Sequence, residues 1–160
     1  MTGLPTIAVR HHLATLVGCL LIGLLPGAVG SAFTPDAWYF ALAKSSLTPP
    51  NWVFPVAWTS LYLMIGVSLY AFLINADGKR RTALVMFAIQ LVLNAAWSWL
   101  FFGQHEPELA LVDIVLLWLS IAATAVLFGR ASRLAGALLV PYLLWVSFAT
   151  YLNVAIWAAN

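Results

Sequence analysis

The sequence predicts an all-α protein: an integral membrane bundle of five transmembrane helices with a short helical segment in loop one. Of its 160 residues, 64% are hydrophobic and 8% charged, whereas soluble domains carry about 25% charged residues. Its apolar runs reach the roughly 20 residues that a helix needs to cross a bilayer. None of them alternates apolar and polar residues as a barrel strand does. We therefore predict one membrane domain over residues 1–160, with spans at 13–33, 52–74, 82–102, 109–128 and 134–158.

The first span has an alternative interpretation as a secretory signal. Arg10 and two histidines precede its apolar run, and cleavage could follow Gly30 or Ala32. We favour a retained helix because of the charges in the loops. With five spans, six basic residues fall on the side of the N-terminus and only Lys44 on the other, so the positive-inside rule places the N-terminus in the cytoplasm. The six are Arg10, Lys79, Arg80, Arg81, Arg130 and Arg133.

Loop one, between the first two spans, is long for a connection between packed helices. Thr34 is a plausible N-cap, with Pro35 at the first helical position and Asp36 in the first turn. A short helix through Trp38, Tyr39 and Leu42 is expected to follow. One interpretation is an aromatic anchor at the membrane interface. The other is a lid over a pocket between the helices.

Polar and aromatic residues form one stripe on each of three spans, at spacings that share a helical face. Such stripes are typical of a cavity for a flat apolar ligand. The alternative is that the amides are hydrogen-bonding contacts between helices and the tryptophans are packing. The stripes are Pro55, Trp58, Thr59, Tyr62 and Gly66; Gln90, Asn94, Trp97, Ser98 and Phe101; and Tyr142, Trp145, Ala149, Leu152 and Asn153.

Two further features leave alternatives open. Gly23 and Gly27 have the small-residue spacing of close helix contact, which fits either a dimer face or packing inside the chain. Asp113 is the only acid inside a span and lies near its end, where it is expected to reach water or pair locally. A proton-coupled transporter would need a carboxylate nearer the midplane.

The sequence contains no motif for metal, cofactor or nucleic-acid chemistry. Cys19 is the only cysteine, and the histidines and carboxylates lack ligand spacing. There is no glycine-rich loop for a phosphate. We therefore predict no metal site, no cofactor and no nucleic-acid partner, and regard the lipid bilayer as the surroundings of the chain.

The motifs resemble those of the TspO/MBR family of translocator proteins, in order through all five spans. The matching stretches are DAWY at 36–39, LTPPNWVFPVAWTSLY at 47–62, Gln90-Leu91 with Asn94, Trp97-Ser98, Phe101-Phe102, PYLLW at 141–145, FAT at 148–150 and Leu152-Asn153. This resemblance implies a five-helix bundle, commonly a homodimer, whose pocket is capped by loop one and binds porphyrins such as protoporphyrin IX, sterol-like lipids or drug-like aromatics. The pocket residues that it implies are Tyr39, Trp58, Tyr62, Asn94, Trp97, Ser98, Trp145, Ala149 and Leu152.

Three functions follow as expectations. The first is porphyrin binding for tetrapyrrole sensing, scavenging or regulation. The second is light-dependent degradation of protoporphyrin, in which the resemblance implicates Trp58 and Trp145. The third is a transporter subunit for small apolar molecules. Two departures from the family pattern matter: Leu47 stands where a tryptophan is frequent, and no Lys or Arg follows Tyr151, which weakens the case for sterols. Positive-inside loops favour a bacterial inner membrane.

Overall fold

The computed structural model describes residues 4–76, 78 and 80–160, with side chains from His11 onward. Arg10 and Lys79, whose charges entered the orientation argument, therefore lie outside the described side chains. The helices are α1 (Leu4–Gly30), α2 (Ala37–Ala41), α3 (Val53–Asn75), α4 (Arg81–Ser98), α5 (Pro107–Ala131), α6 (Arg133–Ala137) and α7 (Val140–Ala159). Within the described residues, five helical segments are long and apolar enough to cross a membrane, which confirms the predicted fold class.

The helices differ from the predicted spans in several places, of which three affect the description of the bundle. Helix α1 ends at Gly30, so residues 31–33 belong to loop one. Helix α4 continues into a π-helical turn over Trp99–Gly103, where the amide of Gln104 donates to the carbonyl of Trp99 at 2.9 Å. The last span is two helices, α6 and α7, rather than one. Pro141 lies in the first turn of α7, where a missing backbone N–H costs nothing.

The five spanning segments form a ring in the order α1, α4, α5, α7 and α3. Helix α5 packs along α4 and α7, whereas α3 and α7 touch sparsely. At the end of the bundle away from loop one, the rings of Phe72 and Phe128 stack at 4.1 Å, and Phe87 lies 5.5 Å from Phe128. The Ser68 hydroxyl also donates to the Ala135 carbonyl at 2.7 Å. Among the described residues, this end is filled by side chains, and the interior cavity lies toward loop one.

Glycines allow α1 to lie directly against α3. A Cβ on Gly23 would stand 2.5 Å from the Tyr62 carbonyl oxygen, and a Cβ on Gly66 would stand 2.7 Å from the Cα of Leu20. Gly27 likewise faces the Tyr62 ring. The small residues of α1 thus serve packing inside the chain. The expected homodimer remains a prediction, and Gly23 and Gly27 give no support for a dimer face.

Candidate ligand-binding cavity

A cavity of about 850 Å³ lies between the helices at the loop-one end. Its wall includes residues of α1, α3, α4, α5 and α7, and loop one covers it. Sites for small ligands are roughly 300–1,000 Å³ and mostly apolar with a few polar groups. The size and the lining of this cavity fall within that description.

The structure brings all nine predicted site residues to this cavity. They are Tyr39, Trp58, Tyr62, Asn94, Trp97, Ser98, Trp145, Ala149 and Leu152. Their part in binding stays a prediction. Three members of the predicted stripes do not belong to the lining: Gly66 packs against α1, Tyr142 is fully buried behind the wall, and Gln90 is buried with neither amide atom bonded to a described residue.

Aromatic rings of α3 and α7 form one wall. Trp58 stacks on Tyr62 with centroids 5.5 Å apart, and its edge meets Trp145 at 6.3 Å. Phe54 contacts Trp145 at 6.1 Å in the same edge-to-face manner. Rings in these arrangements attract one another beyond their buried area. The wall therefore presents aromatic surfaces, which suit a planar ligand.

A buried chain of hydrogen bonds joins three helices behind this wall. The Tyr62 hydroxyl donates to Asn94 Oδ1 at 2.9 Å, and Asn94 Nδ2 donates to the Tyr142 hydroxyl at 2.8 Å. Asn94 is 4% exposed. Since an unpaired polar group is costly inside a bundle, this network fixes the positions of α3, α4 and α7 around the cavity.

A second amide secures Trp97. Its indole Nε1 donates to Asn153 Oδ1 at 3.0 Å, and Asn153 Nδ2 donates to the Pro107 carbonyl at 2.8 Å. The Trp97 ring also stacks on Phe101 at 4.9 Å. Asparagines on α4 and α7 thus act as interhelical hydrogen-bond partners and also line the cavity. The structure therefore combines the two interpretations of the stripes, one as a cavity lining and the other as contacts between helices.

The short helix of loop one begins at a different residue from the predicted one. Asp36, not Thr34, is the N-cap, and its Oδ1 accepts from the Tyr39 amide at 3.2 Å. The Asp36 Oδ2 also lies 3.1 Å from His105 Nε2, and the His105 ring stacks on Trp38 at 4.3 Å. A carboxylate is a stronger hydrogen-bond acceptor than a hydroxyl, which explains why Asp36 rather than Thr34 caps the helix. No local pattern around His105 indicated that it would contact loop one.

Two more contacts hold loop one against α7. The Asn160 side chain exchanges hydrogen bonds with both the amide and the carbonyl of Ala43, and Ser45 bonds the Tyr151 hydroxyl at 2.9 Å. The side chain of Tyr39, which belongs to loop one, is buried, and this burial raises the pKa of its phenol. Loop one thus covers the cavity in this structure. Leu47, at the position of the family's frequent tryptophan, is 63% exposed and adds little to this cover.

Sequence reasoning missed the contributions of α1 and α5 to the wall. Leu24, Gly27 and Gly30 come from α1, and Ile114 and Leu117 come from α5. The glycine spacing of α1 was the available signal, because it marks where a neighbouring helix comes closest. Helix α5 offered no signal, because its own residues are almost all apolar and their pattern does not mark the face that lines the cavity.

Asp113 was expected to reach water or pair locally, and the structure leaves it almost completely buried. The residue is 7% exposed, and its Oδ2 has no hydrogen-bond partner among the described residues. Asp113 lies between packed helices, because α4 and α7 cover α5. It does not belong to the cavity lining. No group of three or more potential metal ligands occurs in the part of the chain that the structure describes.

Known proteins resemble this chain over nearly its whole length. The model of the TspO/MBR family matches residues 15–158. The Tryptophan-rich protein TspO of Chlorobaculum tepidum is 47% identical over 94% of this chain and 99% of its own. Protein CrtK of Rhodobacter capsulatus is 41% identical over 84% and 85%. The human Translocator protein is 38% identical over 96% and 89%. The chain therefore belongs to the TspO/MBR family.

Proposed function

We propose that the chain binds porphyrins and similar flat, apolar ligands in the cavity beneath loop one. The observation that supports this most is the aromatic wall of Trp58, Tyr62 and Trp145 beside a space of about 850 Å³. Ring faces bind a planar π-system through stacking and dispersion. Protoporphyrin IX is the expected ligand, and its binding would serve tetrapyrrole sensing, scavenging or regulation.

Filling the cavity tests this proposal. Ala149 is half-buried in the lining, so we expect Ala149→Trp to occupy ligand space and weaken protoporphyrin IX binding by tenfold or more, a cost of about 1.4 kcal/mol. The measurement is quenching of tryptophan fluorescence during a titration in the dark. Ala88→Trp, on the exposed surface of α4, is the matched control. Equal affinity of the two variants would contradict the proposal.

Light-dependent degradation of the bound pigment is a second candidate. It is favoured by the edge-to-face contact of Trp58 and Trp145 at 6.3 Å in the cavity wall, because an excited pigment there would have two indoles within reach. We expect Trp145→Phe to keep dark binding within a few-fold and to lose most of the absorbing product that forms under illumination. If the unaltered chain forms no product in light, this second candidate is excluded.

Transport of small apolar molecules is the weaker alternative. Asp113, the only acid inside a predicted span, would be the proton carrier of such a transporter, but it does not belong to the cavity lining. Relatives are called Translocator protein, which is the argument in favour. Flux into liposomes that survives Asp113→Asn would remove the proposed mechanism.

We also propose that the N-terminus faces the cytoplasm and that the membrane is a bacterial inner membrane. Support comes from the arginines at one end of the bundle, where α4 and α6 begin and α5 ends, namely Arg80, Arg81, Arg130 and Arg133. Lys44 lies at the opposite end, in loop one. Such an imbalance orients helical membrane proteins.

A further inference from the structure

A groove on the outside of the bundle adjoins the cavity. It has a volume of about 530 Å³ and lies between α3 and α7, the two neighbouring helices that touch sparsely. Its lining is apolar apart from one serine hydroxyl, and that hydroxyl is bonded to the Val56 carbonyl. The residues are Ala57, Ser60, Leu61, Met64, Pro141, Leu144, Trp145 and Phe148. Leu144 is 66% exposed, so the groove faces the lipid.

Of the residues whose positions are described, Trp145 alone lines both the groove and the cavity. Toward the cavity its ring contacts Phe54 and Trp58 at 6.1 and 6.3 Å. Toward the groove it contacts Phe148 at 5.9 Å. A single indole thus forms the partition between the interior space and the hydrocarbon region.

The Trp145 indole lacks the hydrogen bond that anchors two other tryptophans. The indole N–H groups of Trp97 and Trp118 donate to Asn153 and Ser147 at 3.0 and 2.8 Å. The Trp145 N–H is buried and has no partner among the described residues. Packing alone sets its rotamer, so rotation breaks no hydrogen bond.

The path through loop one is held by polar contacts. Opening it would separate Asp36 from His105, Ala43 from Asn160 and Ser45 from Tyr151. A ligand dissolved in the bilayer would moreover have to leave the hydrocarbon before it reached that path. The route past Trp145 requires neither step.

We propose that the groove between α3 and α7 is a lateral port, through which uncharged, flat, apolar ligands pass between the bilayer and the cavity when the Trp145 ring rotates. The port rests on the proposed function, because it presumes that such ligands bind inside. Trp145 acts here as a gate, so its effect is on rates of exchange.

Blocking the groove from outside tests the port. Ser60→Trp on α3 and Leu144→Trp on α7 add bulk to the groove without touching the cavity. Val56→Trp is the control, because Val56 lies on α3, is 58% exposed and lines neither space. The probe is protoporphyrin IX dimethyl ester, which is uncharged, mixed rapidly with the protein in phosphatidylcholine nanodiscs. Tryptophan quenching gives the association and dissociation rates, and a titration gives the affinity.

We expect the groove variants to slow association and dissociation together by roughly tenfold, with affinity unchanged within about twofold, and the control to exchange at the original rates. Unchanged rates in both groove variants, or equal slowing in Val56→Trp, would overturn the port. So would a chain that binds protoporphyrin IX but not the ester. Failure of both porphyrins to bind saturably would refute the proposed function itself, and the port with it.

Discussion

Replacing Asn94 with alanine is expected to lower both the stability of the bundle and its affinity for protoporphyrin IX. The change removes two hydrogen bonds and leaves the buried hydroxyls of Tyr62 and Tyr142 without their partner. Interhelical hydrogen bonds in membranes average about 0.6 kcal/mol and reach about 1.7, so two of them amount to about 1–3 kcal/mol. Because the same network positions three helices around the cavity, we expect about tenfold weaker binding or more.

Tyr62→Phe is the matched control for this change. It removes one of the two bonds and keeps the ring that stacks on Trp58. We therefore expect about half the loss of stability, measured as the midpoint of thermal unfolding in detergent. If Asn94→Ala unfolded at the same midpoint as the unaltered chain, the hydrogen-bond network would contribute nothing to the stability of the fold.

A loss of stability of similar size is expected for Gly23→Ala. The added methyl would lie 2.5 Å from the Tyr62 carbonyl oxygen and 2.8 Å from the Gly66 nitrogen. Both are backbone atoms and cannot rotate away, so α1 has to move off α3. Overpacking typically costs about 1–3 kcal/mol and occasionally more. We expect a lower unfolding midpoint and, because Tyr62 forms part of the cavity wall, weaker porphyrin binding.

Gly18→Ala is the matched control in the same helix. A Cβ at Gly18 meets nothing within 4 Å, and alanine in a helix is favoured over glycine by roughly 0.5–1 kcal/mol. We expect this variant to be neutral or slightly more stable. If both alanine variants unfolded at the same temperature, the close approach of α1 and α3 would not be what these glycines provide.

Composition and polar spacing sufficed to predict the five spans and the three faces that meet at the cavity. Trp58 and Tyr62 could be placed together because a stripe of polar and aromatic residues on a membrane helix faces the interior of the bundle. Depth along the helix was harder to judge. Gln90 and Asn94 share a face, yet only Asn94 lies at the level of the cavity, because the phenylalanine cluster fills the bundle at the other end.

The contacts that loop one makes with distant parts of the chain could not be predicted from the sequence. The pairing of Asp36 with His105 and of Ala43 with Asn160 depends on how far loop one extends across the bundle, which no local spacing encodes. The N-cap was misassigned for the same reason: Asp36 is fixed both by the Tyr39 amide and by His105. The break between α6 and α7 had a local signal in Pro141, but proline also occurs within continuous membrane helices.

The central claim is that one cavity inside each chain holds a flat apolar ligand, and the most direct test is the stoichiometry of protoporphyrin IX binding in the dark. The titration should be repeated at several ratios of lipid to protein, since porphyrins also partition into bilayers. We predict saturation at about one ligand per chain, with an end point that does not depend on the amount of lipid. Quenching that never saturates, or an end point that grows in proportion to the lipid, would contradict the claim and leave the aromatic wall as packing.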